Sequence, residues 1–453
     1  MIKSYLLASS SLLRCEGVIL GDLTVSPSVV EGEVEAQPSK SYTHRYFSLA
    51  LLADGKSRIR NPLLSLDTRS TLRAVRVLGG EVDMGSDSVE IVGTGGDLNP
   101  RGNKIDVGNS GTTLRIMTAI SSLTPEKIQL TGDQSILERP MGPLVDSLND
   151  LDVSAECQGR DGRPPVLVGG NLVGGETVIT GDVSSQFISA LLIAGLLSEV
   201  GIDLEIEEDL KSKPYVEITL KTIEEAGGVV KPDSSLLSYN IPGEQSLKPV
   251  DCSVPGDYSS AAFILCAGAL SPEGVKVKNL DPEDVQGDRR IIDLLKDFGA
   301  SVYVEDDAVR VVGKENISGI DADCSDNPDL VPILTVLGAL SEGNTRLYNV
   351  GHLRYKEVDR LDVITRELRK LGVKIEEEED SLKVFGGNEI SGGEVRSHGD
   401  HRIAMSLAVA GMYAEDPVKV KNFDCVNISY PDFAEDFHGL GVTLNYEEDS
   451  GEN

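Results

Sequence analysis

No run of apolar residues in this 453-residue chain reaches the roughly 18 that a membrane-crossing helix needs, so a helical membrane protein is excluded. Cysteine pairs are missing too. Cys15, Cys157, Cys252, Cys266, Cys324 and Cys425 stand apart, with no C-x-x-C and no metal-ligand spacing, a pattern that suits free thiols in a reducing cytoplasm. Basic residues are scarce: 42 Lys and Arg against 74 Asp and Glu give a net charge of −32, and a surface of that sign repels nucleic acid and anionic membrane alike. Runs such as Glu376 to Asp380 read as solvated turns, and the acid excess fits either a surface adapted to high salt or an ordinary acidic soluble protein. There is no glycine-rich phosphate loop, no G-x-G-x-x-G strand-to-helix signature and no His, Asp and Glu set at metal spacing, which argues against nucleoside triphosphate, dinucleotide and metal chemistry. The first twenty residues carry Lys3, a short apolar stretch interrupted by Arg14 and no small-residue cleavage site. They are expected to form a non-secretory extension over 1–21 of a cytoplasmic protein.

What the chain does have is a long repeat. A small or Gly-marked turn into a strand recurs at Gly80-Glu81-Val82, Leu151-Asp152-Val153, Gly228-Val229-Val230, Gly299 to Val302, Gly372-Val373 and Gly441-Val442, at spacings of 71, 77, 71, 73 and 69 residues. Each unit opens with a capped apolar helix, passes a short β-rich run and a second helix, and ends in the turn, which predicts six β-α-β-α-β-β units of an α/β protein. Caps are expected at Ser41 to Thr43, Ser110 to Thr112, Ser184-Ser185, Ser259-Ser260, Asn327 followed by Pro328, and Asp400. Length implies two or three domains, and Pro-marked irregular chain at Ala36-Gln37-Pro38 and at Pro249 to Gly256 separates repeats 1–3, over 37–255, from repeats 4–6, over 256–453. The strand-like Leu23 to Glu35 has no repeat of its own and is assigned, as 22–36, to the second domain, so that the chain crosses between domains twice.

Cations gather where the repeats begin. Gln37 to Arg45 put Lys40, His44 and Arg45 on one turn at a helix start, where free N–H groups and the helix dipole attract anions. The plainer reading is an amphipathic helix with Phe47, Leu49, Leu51 and Leu52 on its apolar face. Asn109 to Arg115 lets the backbone come close to a ligand oxygen at Gly111, and Glu138-Arg139-Pro140 holds a planar guanidinium fork on a loop. Ser184-Ser185-Gln186 offers two hydroxyls and an amide at another helix start. Lys356 and Arg360, four apart, would share a helix face beside Glu357. Asp329 falls in the first turn of the fifth opening helix, and Asp400-His401-Arg402 adds two possible cations at the sixth. Each segment alone is equally a turn, a cap or a surface ion pair. Their recurrence at equivalent places in a repeat argues for one shared anionic ligand, held where several helix starts meet.

In chain order, Pro-Ser-Lys-Ser-Tyr-Thr-His-Arg (38–45), Asn-Ser-Gly-Thr-Thr-Leu-Arg (109–115), Glu-Arg-Pro-Met (138–141), Ser-Ser-Gln-Phe (184–187), Ser-Lys-Pro-Tyr (212–215), Lys-Glu-Val-Asp-Arg (356–360) and Asp-His-Arg (400–402) resemble the motifs of the EPSP synthases, or 3-phosphoshikimate 1-carboxyvinyltransferases, over about residues 22–445. The resemblance implies the two-domain enolpyruvyl transferase fold, an inside-out α/β barrel with three units per domain and the site in the cleft between them. It also implies transfer of the enolpyruvyl group of phosphoenolpyruvate to the 5-hydroxyl of 3-phosphoshikimate, releasing phosphate through a tetrahedral ketal, without cofactor or metal. The expected partners are those two small molecules, and a monomer is expected. Carried onto this chain, Lys40, Ser41, Arg45, Ser184, Ser185, Gln186, Ser212, Asp329, His352 and Lys356 look like 3-phosphoshikimate ligands; Lys40, Gly111, Arg139, Gln186, Arg360 and Arg402 look like phosphoenolpyruvate ligands. Asp329 looks like the base at the hydroxyl, Glu357 is placed for proton traffic at C3, and Lys40 would assist as acid and charge stabiliser.

Three positions depart from the family pattern. His352 stands where members often have Asn, Ile116 where many have Pro, and Ile428 where many have a Lys in the phosphoenolpyruvate pocket. A sister enolpyruvyl transferase acting on UDP-N-acetylglucosamine is the main rival, and it would be expected to carry a Cys near Glu138. The other rival is a non-catalytic anion-binding relative, against which Lys40, Asp329, Glu357, Arg360 and Arg402 speak.

Overall fold

The alternation of β-rich runs with apolar helices appears as six four-stranded sheets among the described residues, 21–448 apart from 315 and 388, of the computed structural model. The expected extension lies outside the described residues except for Gly21, which opens a strand. One of the continuous units shows the plan. Strand Lys104–Asp106 leads through helix Gly111–Ser121 to strand Ile128–Thr131, parallel to the first; helix Gly142–Asp150 then leads to Ser154–Cys157 and Val166–Gly169, which add in antiparallel fashion. A parallel pair needs a crossover, which is why the helix separates its strands.

Three strands are supplied from elsewhere in the chain. Leu23 to Glu35, read as one strand-like stretch, is two strands, because Pro27 has no N–H to continue a ladder. Gly21–Val25 lies antiparallel between Val418–Lys421 and Leu444–Glu448, and Glu31–Glu35 runs parallel to Gly274–Lys278. Asp251–Ser253 runs parallel to Lys56–Arg60 and completes the sheet of the first repeat.

Buried apolar side chains form two clusters, one drawn from Tyr42 to Val254 and one that joins Leu23 to Ala36 with Tyr258 to Val442. Inside the first, helices Lys40–Leu52, Gly111–Ser121 and Ser185–Gly195 pack together; inside the second, Tyr258–Ala269, Val331–Leu340 and His401–Met412 do the same. Every residue of Tyr258–Ala269 and His401–Met412 is buried, and Lys40–Leu52 is buried from Tyr42 onward. The expected amphipathic helix behind Lys40 is therefore apolar and buried all round, with only its first turn left for a ligand. Small residues let the sheets approach: a Cβ on Gly195 would lie 2.8 Å from the Ile202 side chain, and one on Gly338 2.8 Å from Thr345.

The two crossings run side by side, paired at Pro38 and Gly256, with Ser39 N donating to Pro255 O at 2.8 Å and Asp257 N to Gln37 O at 2.8 Å. Asp257 corrects two expected caps at once. Its carboxylate, not Ser259 or Ser260, caps Tyr258–Ala269 through Ser260 N at 2.9 Å, and it also accepts Lys40 N at 2.9 Å, so the helix opening at Lys40 is capped from the other half and not by Ser41 to Thr43. Ser110, Ser184 and Asp400 cap as expected, whereas Asn327 makes no side-chain cap and donates to Gly287 O instead.

Candidate active site

Lys40 opens its helix with its ammonium 3.0 Å from Asp67 Oδ2, and His44, one turn on, brings Nε2 to 3.5 Å from the same oxygen. Burial opposes ionisation of Asp67, but Lys40 and His44 outweigh it and hold the carboxyl well below its usual range. Arg45 is committed to the framework: Nε donates to Thr219 Oγ1 at 2.7 Å, Nη1 to Ser41 O at 2.8 Å and Nη2 to Tyr215 O at 2.7 Å. It sets the first helix against Lys213–Glu225, whose cap, Ser212, holds a left-handed φ of 58° beside the cleft.

Gly111, the first residue of its helix, sits where a Cβ would lie 2.9 Å from Arg115 Nη1, so a side chain there would displace the Arg115 guanidinium. Arg115 donates to Gln186 Oε1 at 2.6 Å and Gln186 Nε2 to Thr112 Oγ1 at 3.1 Å, which ties the second and third helix starts together. Burial, helped by Arg139, pushes Arg115 down to about 9.

From the other half, Arg360 enters as a hub of three carboxylates: Nη1 is 2.8 Å from Asp329 Oδ1, Nη2 is 2.7 Å from Glu357 Oε2 and Nε is 2.7 Å from Asp400 Oδ2. Asp329 also receives Arg402 Nη2 at 3.1 Å and the Tyr215 hydroxyl at 3.0 Å, while Glu357 reaches Arg139 Nη2 at 3.1 Å. Burial disfavours charge on both carboxylates, yet Arg402 and Arg360 hold Asp329, and Arg360 and Arg139 hold Glu357, well below the ordinary range. Both are ionised at neutral pH. The shared helix face expected of Lys356 and Arg360 is not formed, because Asp359 caps the helix through Leu361 N and Asp362 N and starts it at Arg360. Lys356 instead ends the turn Gly351–Tyr355 in extended backbone, and burial pushes it down to about 8.

Every residue singled out as a ligand or catalytic group lines one cleft except Arg402, which is buried and contacts Asp329. Asp67, Thr112, Arg115, Lys211, Tyr215 and His401 line it as well and were not singled out as ligands. Arg115 and Tyr215 stand inside the quoted motifs; Asp67 shows in sequence only as an acidic first-turn residue behind a Ser65 cap. His401, read as a possible cation, is driven well below 6.5 by burial and then by Lys40, so it stays neutral; His352 is pushed to about 3 by burial, Lys356 and Lys211.

Two measurements follow from these surroundings. A buried Lys356 loses its charge as pH rises through about 8, so kcat/KM for an anionic ligand contacting it should fall on the alkaline side. Lys356→Arg should move that limb to higher pH; an unmoved limb would show that Lys356 does not meet the ligand. Ile428 is buried, 6% exposed, and does not line the cleft. A lysine there would carry a charge into a buried position, so Ile428→Lys should lower Tm and leave ligand KM values unchanged; a reduced KM with unchanged Tm would place the position in the pocket.

The family model of EPSP synthase (3-phosphoshikimate 1-carboxyvinyltransferase) matches residues 25–437. Among similar curated proteins, the 3-phosphoshikimate 1-carboxyvinyltransferase of Natronomonas pharaonis is 44% identical over 434 residues, covering 93% of this chain and 98% of its own. That of Methanosarcina acetivorans is 45% identical over 427 residues, with 93% and 98% covered. An EPSP synthase structure from Acinetobacter baumannii superposes with a TM-score of 0.79 at 26% identity, covering 94% of this chain and all of that one.

Proposed function

This chain belongs to the EPSP synthase family, and from that premise we propose that it transfers the enolpyruvyl group of phosphoenolpyruvate to the 5-hydroxyl of 3-phosphoshikimate, a step of aromatic amino acid biosynthesis. The observation that carries the reading is electrostatic. In a chain of net charge −32, the cleft collects Lys40, Arg45, Arg115, Arg139, Lys211, Lys356 and Arg360 against only Asp67, Asp329 and Glu357. Two multiply charged anions fit such a site.

The 3-phosphoshikimate side is Lys40, Ser41, Arg45, Ser184, Ser185, Gln186, Ser212, Asp329, His352 and Lys356. Phosphoenolpyruvate takes Lys40, Gly111, Arg139, Gln186 and Arg360, with Arg402 orienting Asp329 from behind. Ionised Asp329 takes the proton of the 5-hydroxyl as the oxygen attacks C2. Lys40, lying between both anions, protonates C3 and stabilises the ketal; Glu357, ionised between Arg139 and Arg360, takes a C3 proton back as phosphate leaves.

The two clusters act as two domains, 37–255 and 22–36 with 256–453, joined by the paired crossings, and the ligands draw them together. Small-angle scattering should show a smaller radius of gyration when 3-phosphoshikimate is added; an unchanged radius at saturation would refute closure. We infer a cytoplasmic monomer.

Substrate choice tests the reading. Phosphate should be released from phosphoenolpyruvate with 3-phosphoshikimate and not with UDP-N-acetylglucosamine. The sister activity is disfavoured because none of the described cysteines lines the cleft. Turnover with the UDP sugar would overturn the assignment.

A further inference from the structure

The acidic run Glu376 to Asp380, expected to be a solvated turn, joins strands Lys374–Glu377 and Ser381–Phe385 and is exposed apart from the half-buried Glu377. Its oxygens close on Arg354, which stands two residues before Lys356. Nε donates to Glu379 O at 2.9 Å and Nη2 to Glu378 O at 2.7 Å, while Nη1 donates to Glu377 Oε1 at 2.9 Å and to Asp359 Oδ2 at 2.7 Å. The hairpin also takes the backbone just before: Val350 N donates to Asp380 O at 3.0 Å, and a Cβ on Gly351 would lie 3.4 Å from that of Asp380. A single exposed ion pair contributes little, whereas one planar fork donating to four oxygens fixes a position.

We propose that Arg354 is a positioning residue for the reaction, a role that rests on the function proposed above: it holds segment 351–360 against the acidic hairpin so that His352 and Lys356 reach 3-phosphoshikimate and Arg360 faces Asp329 and Glu357. The segment's own backbone holds it loosely. In the turn Gly351–Tyr355, Leu353 N donates to Val350 O at 2.9 Å, and Lys356 N reaches Leu353 O only at 3.4 Å. Leu353 anchors one side of the turn in the core, fully buried, and Arg354 anchors the other on the hairpin.

Two routes lead from this anchor to the cleft. The first is the turn itself. His352 and Lys356 line the cleft on either side of Leu353 and Arg354, and both ring nitrogens of the buried His352 are without a hydrogen-bond partner among the described residues, so its place is set by the turn that carries it. The second route is Asp359. Its Oδ1 accepts Leu361 N at 3.1 Å and Asp362 N at 3.2 Å, which starts helix Arg360–Lys370, and its Oδ2 is the oxygen that Arg354 takes. Arg354 therefore steadies the cap directly ahead of Arg360, whose guanidinium meets Asp329 and Glu357. It contacts no substrate and acts through these neighbours.

The test is kcat and both KM values from neutral to alkaline pH for the wild type, Arg354→Ala, Glu377→Ala and Arg346→Ala, each with a melting curve. Wild-type turnover is measured first, and its absence would refute the functional reading itself. Given turnover, Arg354→Ala should raise KM for 3-phosphoshikimate by about 10-fold and lower kcat by about 10-fold, losses that a displacement of about 1 Å is enough to cause. KM for phosphoenolpyruvate should move less, since Lys40, Gly111, Arg139 and Gln186 lie in the other half. Lys356 faces Asp329, Arg360, Glu357, Arg139 and His352 and is held at about 8 by burial. Loosening the turn lets water reach it, its pKa rises, and the alkaline limb should move to higher pH. A loss of stability alone would lower Tm and leave the limb and the ratio of the two KM values in place. Glu377→Ala, which removes one of the four oxygens, should show the same pattern at smaller amplitude, and it decides alone if Arg354→Ala does not fold. Arg346→Ala removes a second arginine beside the same run, 3.9 Å from Glu378 Oε2, and should be silent. Wild-type KM values and an unmoved limb in the folded variants would overturn the proposal, as would an equal loss in Arg346→Ala.

Discussion

Lys40→Met is expected to lower kcat by about 10²–10³-fold while the chain remains folded, because in the proposed reaction one ammonium contacts both anions and meets the charge that develops between them. The structure adds a complication that can be separated. Lys40 also neutralises Asp67, which is 4% exposed, and the neighbouring His44 is itself shifted toward the neutral ring by burial. Removing the ammonium therefore leaves a buried carboxylate with a weak partner, and some stability should be lost with the activity. Lys40→Met combined with Asp67→Asn should recover the melting temperature and none of the turnover. A folded Lys40→Met with near-normal kcat would remove Lys40 from the chemistry, and a double variant that regained activity would show that the single loss had been structural.

Arg360→Ala is expected to abolish turnover and to destabilise the protein by about 3–5 kcal/mol, the cost typical of removing one partner from a buried ion pair. Arg360, 2% exposed, faces Asp329, Glu357 and Asp400, and Asp400 is fully buried, raised by burial and kept ionisable chiefly by this guanidinium. Without Arg360 the native pKa values of these carboxyls rise above their unfolded values. The variant's stability is then retained at low pH and lost as pH rises through those raised values. Urea denaturation near pH 5 and near pH 8 should show the deficit growing with pH; a deficit that did not depend on pH would mean the loss comes from packing.

The cleft was legible in the sequence because its parts are helix starts, and helix starts announce themselves through caps, prolines and glycines. Lys40, Gly111, Ser184 and Asp400 each occupy the first turn or cap of a helix buried in one of the two cores, and the repeat spacing brings those turns to equivalent places. Ser259 was misread as a cap because Asp257, two residues earlier, offers a carboxylate to two helices at once, and only the paired crossings make that visible. Lys356 and Arg360 were misread as helical neighbours because four-residue spacing carries no information about where Asp359 will start the helix. Asp67 escaped notice for a deeper reason. It matters through Lys40, a partner on another helix, and no local pattern marks a carboxyl that the fold buries beside such a cation. Histidine charge is set the same way: His401 sits at a cation-rich helix start, yet burial and the neighbouring Lys40 keep it neutral.

The most direct test of the central claim is a single-turnover reaction of the wild-type protein with phosphoenolpyruvate and 3-phosphoshikimate, followed by proton and phosphorus NMR of the quenched mixture. The account predicts a new vinyl ether on the 5-oxygen of the phosphorylated shikimate and one phosphate for each ether formed. Phosphate without the ether, which is plain hydrolysis of phosphoenolpyruvate, or two substrates recovered unchanged from a folded protein, would contradict it.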